Sequence, residues 1–152
     1  MPATAQQSKV GDPYVNGLLS GVKWAEQSLT FAFPSDSAPF GSYPSSEPTD
    51  NFAALTNEER AALRQTLEEF ASVAGISFTE QTASPGDAVL RFAKSDATGT
   101  AWAYAPGPSD ESGDVWFSNS GDLIDQAQPG NYALFTMLHE IGHALGLKHP
   151  HE

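Results

Sequence analysis

Thr136-Met137-Leu138-His139-Glu140-Ile141-Gly142-His143-Ala144-Leu145-Gly146-Leu147-Lys148-His149-Pro150 carries the densest chemistry in this chain. Residues four apart stand one turn above each other on a helix. His139 and His143 therefore project from one face and can reach a single ion about 2.0 to 2.1 Å from each ring nitrogen. Glu140 is one step round from His139, placed to approach an activated water without entering the coordination sphere, as a general base would. Gly146, three residues after His143, can take φ > 0, end the helix and let the chain swing His149 back to the same ion. The pattern H-E-x-x-H-x-x-G-x-x-H reads as a three-histidine site with one position left open for water. Its five fixed positions arise by chance in a chain of this length at well below about 10⁻⁴. Unrelated histidines clustered here would also leave buried ring nitrogens without partners.

Upstream, Pro129-Gly130 marks a break, and Tyr132 to Leu147 reads as the helix that carries the motif. Val115 to Phe117 and Ala101 to Tyr104 read as short strands, set off by Ser112-Gly113-Asp114 and Pro106-Gly107-Pro108. Ala88, Leu90 and Phe92 recur at every second position, as do Ile76 with Phe78 and Leu29 with Phe31 and Phe33. Between the last two pairs lies the clearest helix. Thr56 with Glu59 forms a capping box, Leu63, Leu67, Phe70 and Ala74 follow at helical spacing, and Gly75 ends it. Glu58, Arg60, Arg64, Glu68 and Glu69 read as its solvated face. Pro34 to Asp50, with four prolines among Ser and Gly, reads as a long surface loop, and Tyr14 to Trp24 as a short helix or irregular segment. Met1 to Asp12 offers nothing periodic to dock and reads as a loose arm. The order strand, helix, four strands, helix predicts an α+β fold, a mixed twisted sheet of about five strands with two long helices packed on it. Residues 1–25 would be an N-terminal arm and 26–152 the folded domain.

The 152 residues carry 19 acidic and 7 basic side chains, a net charge of −12, which excludes a nucleic-acid partner because binding a polyanion needs clustered positive charge. No stretch approaches the roughly 18 to 20 apolar residues of a membrane span, and the first residues show neither the basic nor the apolar part of a cleavable signal. With no cysteine, any metal must be held by histidine and carboxylate.

The run Thr136–Pro150 resembles the metzincin zinc metalloproteases, and within peptidase family M10 it is similar to the serralysin type, which also has Pro directly after the third histidine. Ala101–Gly107 and Gly113–Phe117 are similar to that family's edge strand and the strand beyond it, and Thr56–Phe92 to its first long helix and two following strands. The resemblance implies a zinc-dependent endopeptidase acting on extended polypeptides. His139, His143 and His149 would bind Zn²⁺, Glu140 would be general base to the zinc-activated water, and the backbone of Ala101, Trp102, Ala103 and Tyr104 would pair with substrate. It also implies an extracellular protein, exported without an N-terminal signal.

The same resemblance implies more chain after the third ligand, with a methionine-containing turn beneath the metal, a tyrosine near it and glycine-rich calcium repeats. The sequence holds only Met1 and Met137 and has no such repeat. A partner is therefore expected, either a C-terminal half or a second chain. Two alternatives follow: a half-domain that binds zinc without cleaving, and an acidic interaction module with a structural metal site, closed by His151 or Glu152 as fourth ligand. Calcium is a further possible cofactor, at the Gly-Asp turns ending in Asp87, Asp114 and Asp122.

Overall fold

The computed structural model describes residues 2–120 and 130–151. In chain order its elements are β1 (Thr4–Gln6), α1 (Pro13–Leu18), β2 (Val22–Trp24), β3 (Ser28–Ala32), α2 (Asn57–Ala74), β4 (Ser77–Glu80), β5 (Leu90–Ser95), β6 (Ala101–Ala103), β7 (Asp114–Ser118) and α3 (Tyr132–Ala144). The main sheet runs β4-β3-β5-β7-β6, parallel except for β6, which pairs antiparallel with β7 and forms an edge. It is the mixed five-stranded α+β arrangement expected from the sequence.

Helix α2 starts where the capping box places it. The Thr56 hydroxyl accepts from the Glu59 N–H at 3.2 Å, and the Glu59 carboxylate accepts from the Thr56 N–H at 2.6 Å, satisfying two otherwise open donors. Gly75 ends the helix at φ 64°, a left-handed conformation that glycine adopts without a Cβ penalty. Leu63 and Leu67 of α2 and Met137, Ile141 and Ala144 of α3 pack on Phe31, Leu90, Phe92, Val115 and Phe117 of the sheet, all buried. The other charged side of α2 is less solvated than its pattern predicts. Glu58, Glu68 and Glu69 are exposed. The Arg60 and Arg64 guanidinium groups instead lie over the Phe33 ring, and Arg64 forms a two-pronged pair with Glu80 at 2.7 and 3.0 Å. Glu59 is buried and accepts from Lys94 Nζ at 2.9 Å.

The proline-rich segment from Pro34 to Asp50 is not merely a surface loop. It folds over the sheet face that α2 and α3 leave uncovered, burying Phe40 beside Trp116 with ring centroids 4.6 Å apart and Tyr43 and Phe52 around them. Trp116 donates its indole N–H to Tyr43, Tyr43 donates its hydroxyl to Asp114, and Arg91 grips both Asp114 oxygens at 2.6 and 2.8 Å. Covered on both faces, β7 is buried at all five positions, where a half-exposed strand would alternate.

The loose arm expected over the first dozen residues is corrected by the structure for the residues it describes. Thr4–Gln6 pairs antiparallel with Val22–Trp24, so backbone hydrogen bonding docks a segment whose side chains give no periodic signal. Between these strands, α1 is capped by the Asp12 carboxylate, which accepts from the Tyr14 N–H at 2.8 Å.

Candidate metal centre

Helix α3 begins at Asn131, whose side-chain oxygen accepts from the Leu134 N–H at 3.0 Å. Its inner face is apolar, and the two histidines of the motif leave the neighbouring face together. The helix then ends in a Schellman turn: Leu147 N–H donates to Gly142 at 2.9 Å and Gly146 N–H to His143 at 3.0 Å, with Gly146 at φ 107°. The reversed chain is held from outside by the N-terminal segment. Ser20 N–H donates to Gly146 O at 3.0 Å and Lys148 N–H to Leu18 O at 2.8 Å, an antiparallel bridge that leads straight to His149. Sequence reading missed this brace, because backbone hydrogen bonds leave no side-chain signature.

The result is a triangle of ring nitrogens. Nε2 of His139 lies 3.0 Å from Nε2 of His149 and 3.0 Å from Nε2 of His143, and the last two are 3.1 Å apart. His143 is oriented by its other nitrogen, which donates to Leu147 O at 2.9 Å and so leaves Nε2 as the lone-pair side. Nitrogens bound tetrahedrally to one ion at 2.0 to 2.1 Å would be about 3.3 Å apart, so three at this spacing fit a single ion. These histidines could hold one metal ion, and they are the one group of three or more metal-ligating side chains that close together among the described residues. Burial and the neighbouring His143 and His149 lower the His139 pKa, which favours the neutral imidazole a metal requires.

The triangle opens into a cleft of about 650 Å³ lined by Glu140, Lys148, Ser20 and β6. Glu140 is 8% exposed, and among the described residues no hydrogen bond holds its carboxylate. Burial raises its pKa, against the pull of His143 and His149. His151 stays outside the triangle, its ring stacked 5.3 Å from that of His149, and Glu152 lies outside the described residues.

The opposite wall of the cleft is the outer edge of β6, free of any paired strand among the described residues. Ser118 N–H donates to Thr100 O at 2.8 Å and Tyr104 N–H to Asp114 O at 2.9 Å, while Trp102 faces Trp116 in the register. By the alternation of an antiparallel ladder, Thr100, Trp102 and Tyr104 spend their backbone groups on β7, and Ala101 and Ala103 direct theirs outward. Of the four residues expected to pair with substrate, two thus present free backbone. The other two turn their side chains to the back of the sheet, where Trp102 Nε1 and the Tyr104 hydroxyl both donate to Glu47 Oε1, at 2.9 and 2.6 Å.

Calcium finds no support at the Gly-Asp turns. Asp114 is committed to Arg91 and Tyr43, Asp87 ends a short 3-10 turn and belongs to no group of three or more metal-ligating side chains among the described residues, and Asp122 lies outside the described residues.

The Matrixin model of peptidase M10 matches residues 43–152, well over half the chain. The chain belongs to peptidase M10. Its relatives refine the kind: this M10 domain is 36% identical over 104 residues to a serralysin of Photorhabdus sp. (strain Az29), covering 65% of the chain and 21% of that protein. It is 34% identical over 105 residues to metalloprotease AprA of Pseudomonas entomophila, covering 65% and 21%, and 33% identical over 140 residues to a serralysin of Proteus mirabilis, covering 80% and 27%. The M10 domain is therefore of serralysin type, and it spans about a fifth to a quarter of the length of these relatives. No helix among the described residues is long and apolar enough to cross a membrane.

Proposed function

We propose that this M10 domain is a zinc endopeptidase that cleaves extended polypeptides. One observation carries the reading: three Nε2 atoms 3.0 to 3.1 Å apart share a cleft with a free strand edge and a buried carboxylate. His139, His143 and His149 would hold the zinc. When bound there, zinc supplies Lewis acidity, lowering the pKa of water from 15.7 to about 7 and polarising a carbonyl.

The chain's own residues supply the rest. Ala101 and Ala103 bind the peptide backbone as an added strand, which gives affinity with little side-chain preference. That pairing runs the substrate across the mouth of the histidine triangle. Glu140, desolvated on α3 and with no hydrogen bond to its carboxylate among the described residues, takes a proton from the attacking water and returns it to the leaving amine. His143, fixed through Leu147, keeps the triangle in shape as the peptide enters. An extracellular site of action, which the serralysin resemblance implies, belongs to the same proposal.

A second reading is that this chain binds zinc but needs another half, or a second chain, to cleave. It is favoured by Tyr132 and Phe135, which stand 57% and 60% exposed on α3, Tyr132 against Phe135 and Phe135 against the His139 ring. Native mass spectrometry of zinc content, run beside a casein-cleavage assay, separates the two. One zinc with cleavage that Glu140→Ala abolishes supports the endopeptidase. One zinc without cleavage supports the incomplete half, and absence of zinc refutes both.

A further inference from the structure

Edge strand β6 has little of its own to hold it. It is three residues long, two of them alanine, and it follows the loop Asp96-Ala97-Thr98-Gly99-Thr100 and precedes Pro106-Gly107-Pro108. An alanine buries too little apolar surface to anchor a strand. From behind, the Tyr104 ring packs edge-on against Tyr43, and one buried carboxylate ties Tyr104 and Trp102 together. Glu47, in the segment that covers the back of the sheet, is 0% exposed. Its Oε1 accepts from Trp102 Nε1 at 2.9 Å and from the Tyr104 hydroxyl at 2.6 Å, while its Oε2 has no hydrogen-bond partner among the described residues. Tyr104 is gripped a second time by Ser45 Oγ at 2.9 Å. Trp102 itself is 37% exposed and borders the cleft, so its indole has freedom to leave unless something holds it.

A fully buried carboxylate is costly to keep without compensation, and an acidic side chain in a serine- and proline-rich loop would ordinarily point to solvent. Here it spends one oxygen on two aromatic donors of the same three-residue span. Charge-assisted hydrogen bonds of this kind are about twice as strong as neutral ones. They tie down alternate residues, 102 and 104, on one face of the strand, and alternation then obliges Ala101 and Ala103 to present their backbone groups to the cleft.

We propose that Glu47 is a positioning residue for substrate: it locks Trp102 and Tyr104 from behind the sheet and so holds the free edge of β6 in register to receive a peptide strand. The proposal rests on the endopeptidase reading for its kinetic consequence, but its structural core does not. Glu47 touches neither the histidines nor the cleft opening, so its loss acts on binding of the extended peptide rather than on the metal or the proton transfer.

The test uses the full chain with zinc added. In Glu47→Ala, amide hydrogen exchange at Trp102 and Tyr104 is expected to rise about tenfold or more, while the amides of β5 keep their protection. KM for an extended peptide should rise several-fold at near-constant kcat, and zinc affinity by chelator competition should stay as in the unsubstituted chain. Glu47→Gln, which keeps an acceptor oxygen, should restore most of the protection. In a Trp102→Phe/Tyr104→Phe background, Glu47→Ala should add little. Unchanged exchange at 102 and 104, a rise shared equally by β5, or a full effect of Glu47→Ala in that double background each overturns the proposal. If the unsubstituted chain cleaves nothing, the endopeptidase reading fails alone, and the exchange result still decides the role of Glu47.

Discussion

The indole N–H of Trp24 donates to the backbone carbonyl of Ala144 at 2.9 Å, joining the N-terminal hairpin to the last turn of α3 across 120 positions of sequence. Helix C-termini leave carbonyls without intrahelical donors, and this one is buried. The same hairpin leads into the bridge from Leu18 and Ser20 to Gly146 and Lys148, so the first two dozen residues support the turn that carries the third histidine.

Trp24→Phe keeps most of the packing and removes the donor. A buried carbonyl left unsatisfied costs roughly 1 to 3 kcal/mol, which lowers Tm by several degrees in a chain of this size. Zinc affinity should fall with it, because the last turn of α3 and His149 move together. Calorimetry and chelator competition check both, and an unchanged Tm would show that the bond contributes nothing.

Gly146→Ala should be the most damaging small substitution in the turn. The backbone there sits at φ 107°, and an added Cβ would meet Val22 O at 2.5 Å, so strain and a backbone clash coincide. The expected loss is on the order of several kcal/mol, with His149 displaced. Zinc content by mass spectrometry should drop sharply even where the far-UV circular dichroism still shows a folded chain.

Removal of metal should leave the fold in place. Met137, Ile141 and Ala144 pack α3 into the core without any help from the histidines. Chelation is therefore expected to leave far-UV circular dichroism unchanged and to lower Tm only by the binding free energy linked to folding. Complete unfolding on chelation would mean that the metal, rather than this core, holds the helix.

The Arg64–Glu80 pair gives a pH dependence of known sign. The hydrogen bonds and charge of Arg64 hold the Glu80 carboxyl below its ordinary range. Its contribution is present above the unfolded value near 4.3 and is lost as pH falls through the lower folded value. Arg64 and Glu80 side chains are 42% and 28% exposed, so the pair contributes no more than about 1 kcal/mol. Urea midpoints of Glu80→Gln and the unsubstituted chain should differ slightly at pH 7 and converge as the pH falls through the lowered folded value of Glu80; a gap that widens on acidification would refute this account.

The sequence by itself determined the elements whose signal is local. The capping box at Thr56 and Glu59, the stop at Gly75 and the i, i+4 histidines followed by Gly146 are each short-range patterns, and the structure has them where the spacing puts them. The alternating apolar residues of β3, β4 and β5 were legible for the same reason, although β7 was not recognisable as a strand covered on both faces. Its second cover comes from Phe40 and Tyr43, more than seventy positions away in a segment whose prolines and serines signal only a loop.

Tertiary structure alone decided what depends on atoms far apart in the chain. It docked Thr4–Gln6 on β2, braced the His149 turn with Leu18 and Ser20, and buried Glu47 behind the strand edge. It also divided Ala101–Tyr104 into two outward-facing residues and two committed to β7 and Glu47. Backbone hydrogen bonds between distant segments can be made by almost any residue, so they leave no trace in composition or periodicity. The three histidines that could hold a metal ion could be named from spacing because one helix and one turn set them; the support that holds them in place could not.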